Sequence, residues 1–153
     1  MRDRVLTYFD FDGETELPVE GVAIHNGSPH YFWLRDPLPK PRTAIFDLAP
    51  IDQSLVQAVS ELETIWRKWD FAYHSGEVAL STHPGVKGNN PRYTELQEQI
   101  SAQANELHKV AYQRRGQIEL SEQYLSETSQ HTGKKWPVLG MRSAELEVPW
   151  HFF

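Results

Sequence analysis

Residues Asp52 to Gly76 read DQSLVQAVSELETIWRKWDFAYHSG, and within them Leu55, Val59, Leu62, Trp66, Trp69 and Tyr73 recur at alternating steps of four and three. That spacing puts the apolar side chains along one face of an α-helix. Asp52 carries the side-chain oxygen that caps a first turn, and Gly76 can take the positive φ that ends a last one. Glu63 and Arg67 are four apart and spaced to pair on the solvent side, a contribution of about 0.2–0.5 kcal/mol. A seam holding two tryptophans and a tyrosine must be covered by another element, so the stretch is read as the central core helix.

Upstream of the helix the pattern changes to period two. Val5, Thr7, Phe9 and Phe11 alternate with Leu6, Tyr8 and Asp10 in a β-branched and aromatic composition that suits a strand. An acidic segment to Glu20 follows as a connection. Gly21 to His25 and His30 to Arg35 read as two strands joined around Asn26-Gly27, the dipeptide that most readily takes the positive φ angles of a tight hairpin. Pro29 donates no ladder hydrogen bond, so the second strand is expected to begin there or to lie on an edge. The prolines at 37, 39 and 41 make a stiff loop, and Thr43 to Leu48 returns as a fourth strand.

Downstream, Glu77 to Asn90 is glycine-rich and polar, a loop with room for a short strand at Val78 to Ser81. Asn90-Pro91 has the form of a helix start, and Tyr93, Leu96, Ile100, Leu107 and Val110 carry an apolar stripe. Gly116, after Arg114-Arg115, is the expected stop of that helix. Ser121 to Lys135 is polar and poorly periodic, a short helical turn about Tyr124 and Leu125 and then a loop. Ala144, Leu146, Val148, Trp150 and Phe152 alternate strictly with polar residues and Pro149, which predicts a C-terminal strand at an edge or a bend. Together these elements predict an α+β fold: one domain over residues 1–153, with an antiparallel, meander-like sheet of four to six strands and two helices on one face.

Net charge is −6, from 21 acidic against 15 basic residues, a balance that disfavours general nucleic-acid binding. Lys109 with Arg114 and Arg115, read as the cationic end of the second helix, and Lys134-Lys135 are too short to reverse that. The absence of cysteine excludes disulfides, a thiolate nucleophile and a cysteine-rich zinc site. Met1 to Val5 lacks the apolar run of a signal peptide, and no stretch approaches the roughly 20 apolar residues of a membrane span. A cytoplasmic location without membrane contact is therefore expected.

Val5 to Gly13, an apolar strand ending in Asp10-Phe11-Asp12-Gly13, resembles the first motif of the haloacid-dehalogenase-type phosphatases. The resemblance implies a phosphorylated nucleophile at Asp10, an acid/base at Asp12 and magnesium held by both. It ends there. That family places Thr or Val where this chain has Glu14, it needs a parallel sheet with late adjacent acids, and after residue 20 no two acidic residues are adjacent here. His25, His30, His74, His83, His108, His131 and His151 show no metal-ligand spacing, although His25 and His30 flank the hairpin turn. Glycine-rich phosphate loops and a nucleophile elbow are absent as well. No catalytic residue, metal or cofactor is assigned.

What remains is an acidic run, Asp10, Asp12, Glu14, Glu16 and Glu20, with no Lys or Arg among them, and surplus aromatics at Tyr31-Phe32-Trp33. Both suit a non-enzymatic domain that captures a basic protein partner, as inhibitors and immunity proteins do. Two alternatives are open. One is an enzyme or small-molecule binder with its pocket between the sheet and the helix at 52–75, with Trp66, Tyr73 and His74 near the mouth. The other is a homo-oligomer joined through the C-terminal edge strand.

Overall fold

A computed structural model describes residues 3–12, 14–119 and 148–152, with the side chains of residue 11 and residues 148–152 outside the description. The expected turn about Tyr124 and Leu125, the Lys134-Lys135 pair, His131 and the alternation from Ala144 to Glu147 lie outside the described residues. The fold is α+β. Its strands are β1 (Arg4–Asp12), β2 (Leu17–His25), β3 (Ser28–Pro37), β4 (Thr43–Pro50), β5 (Tyr112–Ile118) and β6 (Val148–Phe152). Its helices are α1 (Gln53–His74) and α2 (Pro91–His108). The chain divides into two compact units, a strand unit within Met1–Ile51 and His108–Phe153 and a helical unit, Asp52–Leu107.

In the strand unit the strands pair antiparallel in sequence order, and β6 pairs with both β5 and β1, closing a barrel of six strands among the described residues. Val148–Phe152 therefore has a neighbour on each side, where an edge was expected. The β2–β3 turn is as expected, with Asn26 at φ 51° and Gly27 at φ 78°, the mirror-image turn that matches strand twist. Pro29 is the second residue of β3, an interior strand rather than an edge, and its carbonyl accepts from the Ile51 N–H at 3.1 Å.

Alternation decides the faces. Phe32 and Leu34 of β3 stand opposite Leu48 and Phe46 of β4, and with Val5, Tyr8, Leu17, Ala23, Ala44, Ile118 and Tyr112 they make the core. Tyr31 and Trp33, paired with Ala49 and Asp47, stand on the other face. The strands beside Gly21 approach so closely that an added Cβ would lie 2.7 Å from the Tyr8 Cα and 3.0 Å from the Phe32 ring. Glycine is required there by space rather than by φ.

The start of β2 and the end of the second helix differ from those expected. Leu17 to Glu20 is the start of β2, not a connection. The second helix ends at His108, and Tyr112–Ile118 is a strand, so Arg114 and Arg115 lie in β5 rather than at a helix end. The reason is visible in the burial: Val110 is 73% exposed, so the helical stripe has lapsed, while Gly116 and Ile118 are buried at a spacing of two.

In the helical unit, Asp52 caps α1, accepting from the Leu55 N–H at 2.9 Å, and Gly76 has φ +77°. Leu55, Val59, Leu62 and Trp66 are buried, whereas Trp69 and Tyr73 are half-buried and Phe71 is 73% exposed. Glu63, expected on the solvent side, is 4% exposed; its Oε1 lies 3.7 Å from the Arg67 Nε. α2 starts as expected, with Asn90 Oδ1 accepting from the Tyr93 N–H at 3.0 Å, and Arg92 bridges the two helices through Glu61 at 2.6 and 2.7 Å. The expected strand at Val78 to Ser81 is a 3₁₀ turn, Leu80–Thr82. It is shaped by its own contacts: Asn89 Nδ2 donates to the Ser81 and His83 carbonyls, and Trp69 Nε1 to Thr82 Oγ1 at 2.9 Å. Among the described residues no helix is long and apolar enough to cross a membrane. Replacing Asp52 by alanine removes the cap and is expected to cost about 1 kcal/mol, read as a lower urea midpoint with an unchanged slope.

Candidate functional site

The acidic run is distributed over the end of β1, the β1–β2 turn and the start of β2, and its five carboxylates do different things. Asp12 is a turn former. Its Oδ1 accepts from the Glu14 N–H at 2.9 Å and its Oδ2 from the Thr15 hydroxyl at 2.8 Å. Those bonds, the hydroxyl's first and the Glu14 amide's next, hold its carboxyl below the ordinary carboxylate value. Glu16, at φ 59°, accepts from Arg42 Nη1 at 3.1 Å. Glu20 accepts from the Tyr31 hydroxyl at 2.6 Å. Asp10 and Glu14 are exposed on either side of the turn that Asp12 fixes. Asp12, Glu16 and Glu20 thus shape the hairpin, while Asp10 and Glu14 are set apart by their exposure.

The outer face of β3 and β4 carries a second polar cluster that sequence reasoning missed. Asp47 is 5% exposed and its two oxygens are taken by Arg35 Nε at 2.8 Å and His108 Nε2 at 2.9 Å. Burial alone would raise the Asp47 carboxyl, but the bonds and charges of Arg35 and His108 outweigh it and hold the group below its ordinary value. The His108 ring lies flat on Trp33, with centroids 4.2 Å apart and planes 8° off parallel, and Trp33 in turn contacts Tyr31 at 4.7 Å. Tyr31 is buried and Trp33 half-buried, so the aromatic surplus is not the set of exposed anchors expected of it. A lone acid inside the apolar run Ala44 to Ala49 was the available signal. Its partner His108 is 61 positions away, which no local pattern reveals.

His25 and His30 do approach across their turn, but as buried residues, each 5% exposed, with ring centroids 5.2 Å apart. Among the described residues no three His, Cys, Asp or Glu side chains are grouped to hold a metal ion. Of the residues assigned to a pocket mouth, Trp66 is 6% exposed. Tyr73 stacks on Trp69 at 5.1 Å, and His74, exposed, directs its Nδ1 at the Asp70 carbonyl at 2.9 Å. Tyr73 and His74 are also in ring contact, at 5.2 Å, while Trp66 is set apart by burial. The cations Lys109, Arg114 and Arg115 are exposed in the α2–β5 turn and on β5, and Arg114 lies 4.8 Å over the Tyr112 ring.

Compared with protein-family models, with curated proteins and with solved structures, the chain matches none of them. The reading of its function therefore rests on its own residues.

Proposed function

We propose that the protein is a capture domain for a basic protein partner, acting as inhibitors and immunity proteins do, and that the β1–β2 turn is the surface that meets the partner. The observation that carries this reading is the placement of Asp10 and Glu14 in solvent beside the Asp12 turn, in a stretch from Val5 to Leu34 that contains no lysine or arginine. Attraction to a basic surface reaches about one Debye length, roughly 8 Å at physiological salt, so exposed carboxylates at a turn act at encounter, before contact forms.

Two further features support it. The Asp12 bonds to Glu14 and Thr15 hold the turn in one conformation, so less freedom is lost when a partner docks. The net charge of −6 extends the field beyond the turn. Asp12, Glu16 and Glu20 act by shaping the hairpin rather than by touching the partner, so neutralising them would confound folding with binding.

The test is therefore Asp10→Asn with Glu14→Gln, a pair that keeps side-chain shape. Toward a basic partner, the association rate of this double variant should fall about tenfold at low ionic strength, and the difference should close at high salt. Stopped-flow association across a salt series measures it. An association rate equal to that of the parent protein at low salt would remove the turn from the contact surface.

A further inference from the structure

At the other end of β2 from the acidic turn lies a buried polar group that capture does not use. His30 Nδ1 is 2.9 Å from the Ser28 carbonyl oxygen, which can only accept, so Nδ1 carries the proton of the neutral ring. That leaves a lone pair on Nε2, which lies 3.0 Å from the Tyr112 hydroxyl, so the hydroxyl donates. Tyr112 is on β5 and His30 on β3, with β4 between them in the sheet. The bond therefore joins strands that share no ladder. His25 is committed elsewhere: its Nδ1 meets Asp3 Oδ2 at 2.7 Å, and its Nε2 faces the Asn26 amide nitrogen at 3.3 Å.

We infer that His30 and Tyr112 form an acid-released latch between β3 and β5, closed while the buried His30 ring is neutral and opened when it takes a proton on Nε2. Protonation turns the acceptor into a donor facing a hydroxyl that is itself donating, and it places a charge where the ring is 5% exposed. Among the described residues, the titratable and charged groups around the latch are His25 from β2, Asp3 ahead of β1, and Tyr112 and Arg114 from β5. Burial pushes the His30 imidazole below its ordinary value, and a proton on His25 would push the same way. The Ser28 carbonyl and Asp3 oppose the shift without cancelling it. Burial also raises the Tyr112 phenol, which keeps its proton available for the bond.

The sign follows from linkage. With the folded value below the unfolded 6.5, the unfolded or locally opened chain binds the proton more readily between the two values. The latch contribution is then complete above the unfolded value and is lost as pH falls from there through the folded one. The loss is at most about tenfold in the opening equilibrium per pH unit, the limit for one proton.

Hydrogen exchange of β5 amides in the whole chain, compared near pH 7.5 and at about pH 5.5 after correction for intrinsic rates, tests the inference. The parent protein should lose β5 protection at the lower pH by up to about tenfold per pH unit. His30→Gln, whose amide oxygen can still accept from Tyr112 and does not titrate, should show the same β5 protection at both. An equal acid loss in the variant would overturn the latch. So would a nitrogen-15 titration of the parent protein that finds His30 ionising at or above the unfolded value, or carrying its neutral proton on Nε2. That titration decides the matter alone if the variant does not fold.

Discussion

Replacing Gly21 by alanine should destabilise the protein by about 3 kcal/mol or more, enough to leave a marginal domain largely unfolded. The added Cβ would run into the Thr7 carbonyl oxygen and would lie 2.7 Å from the Tyr8 Cα, both backbone atoms that cannot rotate away, and 3.0 Å from the Phe32 ring. Relief would have to come from parting β1 from β2 at a point where the pairing already shifts register, between Tyr8 and Asp10. That would break ladder bonds beside the core residues Tyr8 and Phe32. Urea unfolding followed by tryptophan fluorescence measures the cost. A loss below about 1 kcal/mol would mean that the strands are not this close in solution.

The second large effect is expected at Phe46, whose replacement by alanine should cost about 3–5 kcal/mol. The side chain is 0% exposed and meets Phe32 edge to face, with centroids 6.2 Å apart and planes 84° to each other. Truncation removes the apolar contact and the ring pair together, and it leaves a cavity lined by residues on paired strands that cannot collapse freely. Phe71 supplies the contrast. It is 73% exposed, so Phe71→Ala should change stability by no more than about 0.5 kcal/mol. Similar losses in the two variants would place the core elsewhere.

The parts of the fold that were legible in sequence are those written in local chemistry. Asp52, Asn90-Pro91 and Asn26-Gly27 each act on neighbours a few residues away, and each sits where its chemistry predicts. β5 was not legible. An inward-register position holds Arg114, which escapes along the Tyr112 ring, and another holds Gly116, so the alternation carries too few apolar residues to stand out from the preceding helix. Glu63 reads as a surface residue in any helical projection, yet it is buried. The candidate surface was legible as a charge run but not as a division of labour. That Glu20 serves Tyr31 and Glu16 serves Arg42 depends on strand register and on a chain reversal 26 residues long. The bond from Tyr112 to His30 spans 82 positions, far beyond any sequence periodicity.

The capture reading is tested most directly by immobilising the parent protein and the Asp10→Asn, Glu14→Gln double variant side by side, passing native cell lysate over both, and eluting with rising salt. A capture domain should return a stoichiometric basic protein that leaves the parent protein at moderate salt and is retained weakly or not at all by the variant. A partner held equally by both proteins, or an acidic one, or none on either, would contradict it.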